Sequence, residues 1–175
     1  MLVYFVRHAS AGQHKSDPAK DEKRPLDNDG IEQCNTVGRA LAALETHVDL
    51  ILSSPLKRAS QTASLVANEL AYEEKIVLTP ALRPEATYAK FTALLQGHEN
   101  YEAILVVGHN PNLSEFLGRL IGGGSRAGMD LKKGAVARVE VDRRRGILHW
   151  LLTPKLVRTI YETAASSSRP KTARK

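Results

Sequence analysis

Three apolar runs in this chain stop abruptly at residues able to do chemistry. Leu2-Val3-Tyr4-Phe5-Val6 gives way to Arg7-His8 and the small residues Ala9-Ser10-Ala11-Gly12. Leu50-Ile51-Leu52-Ser53-Ser54-Pro55 leads into Leu56-Lys57-Arg58, and Ala103-Ile104-Leu105-Val106-Val107 into Gly108-His109-Asn110-Pro111. Such runs read as buried strands, and in open α/β sheets ligands bind at the C-terminal edge of the strands. Arg7, His8, Arg58 and His109 are therefore expected to meet there. Forked guanidinium donors match phosphate oxygens. A neutral imidazole can attack phosphorus and carry the phosphoryl group covalently, and neighbouring arginines disfavour the imidazolium that would block attack. A second histidine can donate to the transferring group, and a helix opening near Asn112 adds its dipole. The chemistry this set suits is phosphoryl transfer. The same arginines repel a cation and no metal-ligand spacing is present, so neither a metal nor a cofactor is expected.

These groups need a scaffold that brings distant strand ends together. After the first strand (residues 2–6), the polar stretch 14–29 reads as a long surface loop, with Arg24-Pro25-Leu26 as one ordered-looking spot. Ile31, Cys34, Val37, Leu41 and Leu44 recur at helical spacing, with Asp29-Gly30 as the start. Cys34 falls on the inward face and reads as a packed thiol. A second strand (50–53) precedes a helix over 56–70, with Pro55 placed in its first turn. A strand over 75–79, a loop carrying Arg83, Pro84 and Glu85, and a helix over 88–95 follow. The strand 103–107 then leads to a helix over 112–121, ended by Gly122-Gly123-Gly124. Residues 135–141 and 147–153 alternate and predict a hairpin, with Arg143-Arg144-Arg145 and Gly146 at its turn. A short helix over 154–163 closes the pattern. Alternating strands and helices imply βαβ units with right-handed crossovers. The expected fold is a single-domain α/β sandwich, with a mainly parallel central sheet flanked by helices on both faces. It occupies residues 1–163, followed by a basic tail, 164–175, expected to lack fixed structure.

Composition narrows the function classes. The chain has 175 residues, 42% hydrophobic and 25% charged, as in one globular domain with a substantial core. No apolar run approaches the roughly 20 residues of a membrane span, and no secretory leader is expected. The single cysteine excludes an internal disulfide, which suits a reducing, cytoplasmic setting. The formal charge is +6, but much of the excess lies in the tail and the expected turn, without interleaved aromatics. Neither a nucleic-acid nor a membrane partner is expected.

Read together, three motifs carry a family resemblance. Arg7-His8-Ala9, then Ser53-Ser54-Pro55-Leu56-Lys57-Arg58-Ala59-Ser60-Gln61-Thr62-Ala63, then Gly108-His109-Asn110-Pro111 stand in the order seen in the histidine phosphatase superfamily. The chain resembles that superfamily over about residues 2–153. Its usual first motif is Arg-His-Gly, and Ala9 here keeps a small residue in place of the glycine. Within the superfamily the chain resembles the short phosphohistidine phosphatases. Its length leaves no room for a large cap, Arg24-Pro25-Leu26 precedes Gly30, and the ending His149-Trp150-Leu151-Leu152-Thr153-Pro154 is similar. The resemblance implies a phosphoglycerate mutase-like core and removal of phosphate from phosphohistidine on a protein such as a phosphotransfer domain. His8 would be the nucleophile. Arg7, Arg58 and His109 would bind phosphate, with Arg24 a further contact. Glu85 and Asp17 are the candidate general acids, each also readable as a surface carboxylate. A small-molecule phosphomonoesterase or mutase, or a phosphate-binding module without turnover, are the competing readings.

Overall fold

The structure, a computed structural model, describes residues 1–122, 127–143 and 145–167. Six strands form one mixed sheet in the order β3-β2-β4-β1-β5-β6: β1 (Leu2–Arg7), β2 (Leu50–Ser53), β3 (Val77–Leu78), β4 (Ala103–Gly108), β5 (Val136–Asp142) and β6 (Arg145–Leu152). The first four run parallel, and β5 and β6 add antiparallel to the β1 edge. The mainly parallel sheet and the terminal hairpin are as expected. Arg144 at the hairpin turn lies outside the described residues, as do Gly123, Gly124 and residues 168–175.

Both faces of the sheet are buried, which is why its central strands are continuous apolar runs rather than alternating ones. Val3 and Phe5 of β1 point to a core shared with Phe91 and Leu95 of α4 (Tyr88–Gln96) and with Phe116, Leu117 and Leu120 of α5 (Asn112–Ile121). Tyr4 and Val6 point to the opposite core, closed by Val37 and Leu41 of α2 (Asn28–Ala43) and Ala63 and Val66 of α3 (Lys57–Glu69). A last helix, α6 (Pro154–Ser167), packs on α2 and runs four residues beyond the expected end at 163. Among the described residues no helix is long and apolar enough to cross a membrane.

Three local readings are corrected. The stretch 14–29 is not a bare loop: Asp17 caps a short helix, α1 (Pro18–Glu22), by accepting from the backbone amides of Ala19 and Lys20. Five charged and small residues are too few to show a period. Helix α2 begins two residues earlier than Asp29-Gly30 implied, because Asp27 is its N-cap. Pro55 lies outside α3, whose cap is Leu56; the proline's fixed φ serves the turn out of β2 instead.

Asp27 holds the loop after β1 against α2. Its carboxylate accepts from Ser10 Oγ at 2.8 Å and from the amides of Gly12 at 2.6 Å and Gly30 at 2.8 Å. Helix and loop come so close that a Cβ on Gly30 would overlap the backbone carbonyl of Ser10. Alanine ordinarily favours a helix by up to about 1 kcal/mol over glycine, but here the obstacle is backbone and cannot swing aside. Gly30→Ala is therefore expected to destabilise the fold by about 1–3 kcal/mol, measured by urea unfolding; a stabilised variant would contradict the close approach.

Candidate active site

Strand register assembles the site. In the parallel β1–β4 pair Arg7 lies opposite Gly108, so the next residues, His8 and His109, leave the sheet side by side. The His8 amide donates to the Gly108 carbonyl at 3.0 Å, and the two imidazole centroids lie 4.9 Å apart. Parallel pairing of β2 with β4 sets Ser53 opposite Val107, which places Ser54 beneath His109 and starts α3 with Arg58 in its first turn. Thr62, one turn on, accepts from the Ala9 amide at 3.1 Å and donates to the Arg58 carbonyl at 2.8 Å, joining α3 to the segment after His8. Ala9 is fully buried and is not among the residues with positive φ. The backbone there makes no demand that only glycine could meet.

Arg7, His8, Arg24, Arg58, His109 and Glu85 line one open cavity of about 600 Å³. Arg7 is held by Nη1, which donates to the Leu131 carbonyl at 2.8 Å. Arg58 is only 5% exposed, and its Nη1 donates to both the carbonyl and the carboxylate of Asp21, at 3.0 and 3.2 Å. Arg24 spans Asp21, through Nε at 2.9 Å, and the Ala11 carbonyl, at 2.8 Å. It is a largely enclosed, anchored side chain, 11% exposed, and not a solvated loop arginine. Among the described residues, the buried side-chain nitrogens without a partner are Arg7 Nε, Arg58 Nε and His109 Nδ1. Buried polar atoms are rarely left unpaired in folded proteins, and all three of these belong to side chains that line the same cavity.

Protonation follows from this packing. His8 Nδ1 lies 2.8 Å from the Ala9 carbonyl. A carbonyl only accepts, so Nδ1 carries the proton and Nε2 keeps its lone pair. Burial, helped by the charges of Arg58, Arg7 and Arg24 and opposed by the Ala9 hydrogen bond, pushes the His8 pKa down to about 4. Burial, then the neighbouring His8, Arg58 and Arg83, pushes His109 well below the ordinary imidazole range. Asp21 moves the other way from what burial would do. Burial raises it, but Arg24, the Lys15 amide and Arg58 together hold it far below the usual carboxylate range.

The two candidate acids separate. Asp17 does not line the cavity; its carboxylate is committed to the α1 cap. Glu85 does line it, on a loop tied down by Asn112 Nδ2, which donates to the Pro84 carbonyl and to that of Ala86 at 2.7 Å. Glu85 Oε1 accepts from Arg83 Nε at 2.5 Å, and Arg83 also bridges to Glu22 of α1. Against a raising contribution from burial, the Arg83 bond lowers the Glu85 pKa below its ordinary value. Sequence reasoning missed Asp21, Arg83 and Ser54 as members of the site. Asp21 stands three residues before Arg24, a helical spacing, but inside a stretch without periodicity. Nothing local signals that Arg83 meets Glu22, which is 61 positions away.

The histidine phosphatase superfamily (branch 1) matches residues 3–94. The chain is 34% identical over 142 residues to an uncharacterized protein of Picosynechococcus sp., covering 78% of this chain and 82% of that protein. It is 27% identical over 157 residues to the phosphohistidine phosphatase SixA of Escherichia coli, covering 88% and 94%. A solved structure of the protein histidine phosphatase SixA complexed with tungstate superposes with a TM-score of 0.79 at 25% identity, covering 89% of this chain and 98% of that one.

Two measurements check the electrostatics. Following the His8 ring by NMR should give a titration midpoint near 4 rather than 6.5. Because the unfolded chain takes up that proton first, acidifying from 6.5 towards 4 should lower stability, an effect absent above that window. Asp21→Asn leaves Arg24 and Arg58 facing each other without their shared carboxylate. It should cost about 3 kcal/mol in denaturant unfolding, as for one partner lost from a buried ion pair.

Proposed function

The chain belongs to the histidine phosphatase superfamily, and on that premise we propose that it is a metal-independent phosphatase removing phosphate from phosphohistidine on a protein through a covalent phospho-His8. The observation that carries the reading is the neutral His8. Its Nδ1 is locked onto the Ala9 carbonyl and its Nε2 lone pair is free, in a cavity lined by Arg7, Arg24 and Arg58. Nε2 attacks phosphorus in line as the substrate's P–N bond breaks. The departing imidazole keeps the bonding electron pair and takes a proton from solvent. Arg7, Arg58, Arg24 and His109 hold the phosphoryl oxygens through both steps. Water then attacks phospho-His8, releasing inorganic phosphate and restoring the neutral imidazole.

Three features support phosphohistidine over an alkyl phosphate. Neither Asp21 nor Glu85 is poised to give up a proton near neutral pH. Asp21 is ionised between two guanidiniums and Glu85 against Arg83. An alkoxide leaving group needs such a proton, whereas an imidazole is a modest base that needs little help. The rim is formed by exposed residues such as His14, Lys15, Pro18 and Glu22. An open rim admits a residue presented on a protein surface, such as that of a cytoplasmic phosphotransfer domain. The E. coli relative named as a phosphohistidine phosphatase points to the same substrate. Metal independence is supported by the arginines crowding both histidines. Among the described residues, no three His, Cys, Asp or Glu side chains cluster in a way that could hold a metal ion.

The test compares wild type and His8→Ala on an aryl phosphate and on a phosphohistidine protein, both with EDTA. Wild type should turn over both and prefer the protein, while His8→Ala should lose at least about 10³-fold in kcat, as when a covalent nucleophile is removed. Preference for a small phosphomonoester would move the substrate class. Phosphate binding without turnover would make the cavity a binding module. Full activity in His8→Ala would sink the covalent route.

A further inference from the structure

His109 faces a choice of tautomer that the residues around it decide. Its ring is held neutral, so one nitrogen carries a proton and the other a lone pair. Nε2 lies 2.8 Å from Ser54 Oγ, and Nδ1 is buried without a partner. Ser54 is itself fully buried, at the end of β2, and its Oγ accepts from the Leu56 amide at 3.4 Å. That amide can only donate. With one lone pair of the hydroxyl so engaged, the remaining question is which way the bond to His109 runs.

The two directions differ in what they leave over. If Nε2–H donates to Ser54, two donors converge on one hydroxyl, whose own proton has no acceptor among the contacts the structure gives. The bare Nδ1 lone pair would then meet a phosphoryl group carrying negative charge. If Ser54 donates to Nε2, the chain runs Leu56 N–H to Ser54 O–H to His109 Nε2, and Nδ1 carries the proton. The unpartnered nitrogen is then a neutral donor in a site whose other unpartnered buried nitrogens, Arg7 Nε and Arg58 Nε, are donors too.

We propose that Ser54 is a positioning residue that fixes His109 in its Nδ1-protonated tautomer, so that the ring presents a hydrogen-bond donor to the transferring phosphoryl group. This rests on the phosphatase reading above for its consequence in turnover, but the tautomer itself is independent of activity. Ser54 acts through His109 and touches no substrate. Its distinguishing property is direction: the hydroxyl accepts from the Leu56 amide, and His109 Nε2 is the acceptor the structure offers its own proton. The same hydroxyl also keeps Nε2 occupied, so the ring cannot turn over and offer the wrong nitrogen.

The experiment starts with unmodified protein labelled with ¹⁵N at histidine. His109 should show its proton on Nδ1 and an acceptor shift at Nε2, with and without vanadate. Ser54→Ala should move the proton towards Nε2, lower kcat on an aryl phosphate by about 10²-fold, the scale of losing one preorganised donor, and weaken vanadate binding more than phosphate binding. Ser54→Thr, which keeps the hydroxyl, should recover the tautomer and most of the turnover. A purely structural role would lower the unfolding midpoint without changing the tautomer, and that result would overturn the proposal. So would an Nε2-protonated His109 in the unmodified protein, which decides the matter even if neither variant folds. An inert wild-type enzyme with the Nδ1 tautomer present would instead sink the phosphatase reading and leave the assignment of Ser54 standing.

Discussion

Everything at this site depends on the parallel pairing of β1 with β4. Strand pairing has a period of two, so a slip of one residue would turn each inward side chain to the opposite face. Both faces of β1 are sealed by helices, with Phe5 against Phe91 on one side and Val6 within the α2–α3 core on the other. The apolar packing on both sides therefore sets the register, and the register sets Arg7 opposite Gly108 and His8 beside His109. The geometry of the site is a by-product of core packing several residues away.

Gathering guanidiniums in a partly buried space is costly, since like charges repel more strongly where water is excluded. Asp21 offsets that cost. It bonds both Arg24 and Arg58, so two cations are held by one anion while Arg7 keeps only a backbone carbonyl. The arrangement is short of negative charge: Arg7, Arg24 and Arg58 converge, and among the described residues Asp21 is the carboxylate hydrogen-bonded among them. On the proposed function, an incoming phosphate would supply what is missing. The short helix α1 holds Asp21 in place. Asp17 caps it, its single turn aims Asp21 inward, and Arg83 ties its last residue, Glu22, to the loop carrying Glu85.

Protonation nearby follows from burial and from this excess of positive charge together. Burial, reinforced by the arginines, keeps both imidazoles neutral, while the arginine contacts hold Asp21 and Glu85 below the usual carboxylate range. On the proposed function, His8 would then need no general base, and neither Asp21 nor Glu85 would serve as a stored acid. The proposal of a nitrogen–phosphorus bond as the one cleaved rests on that balance.

Much of this was legible in the chain itself. Apolar runs marked β1, β2 and β4, and spacings of three and four marked α2, α3 and α5, because burial of one face leaves a periodic trace in any element long enough to repeat. The abrupt change from apolar run to Arg7-His8, Arg58 and His109 marked the strand ends where a site could form. What the sequence could not show was anything resting on contacts between segments. Asp21 lies in a polar stretch and looks like surface charge, because its burial comes from Arg58, 37 positions away. Arg24 looks equally solvated until Asp21 and the Ala11 carbonyl enclose it. Asp17 and Glu85 look alike as carboxylates in loops, yet one caps a helix outside the cavity and the other is ionised inside it. Side-chain type and local spacing are properties of the chain, so they determined the elements and the chemistry available. Burial, charge pairing and proton position depend on which distant groups a register brings within a few ångströms, and only the tertiary structure decided those.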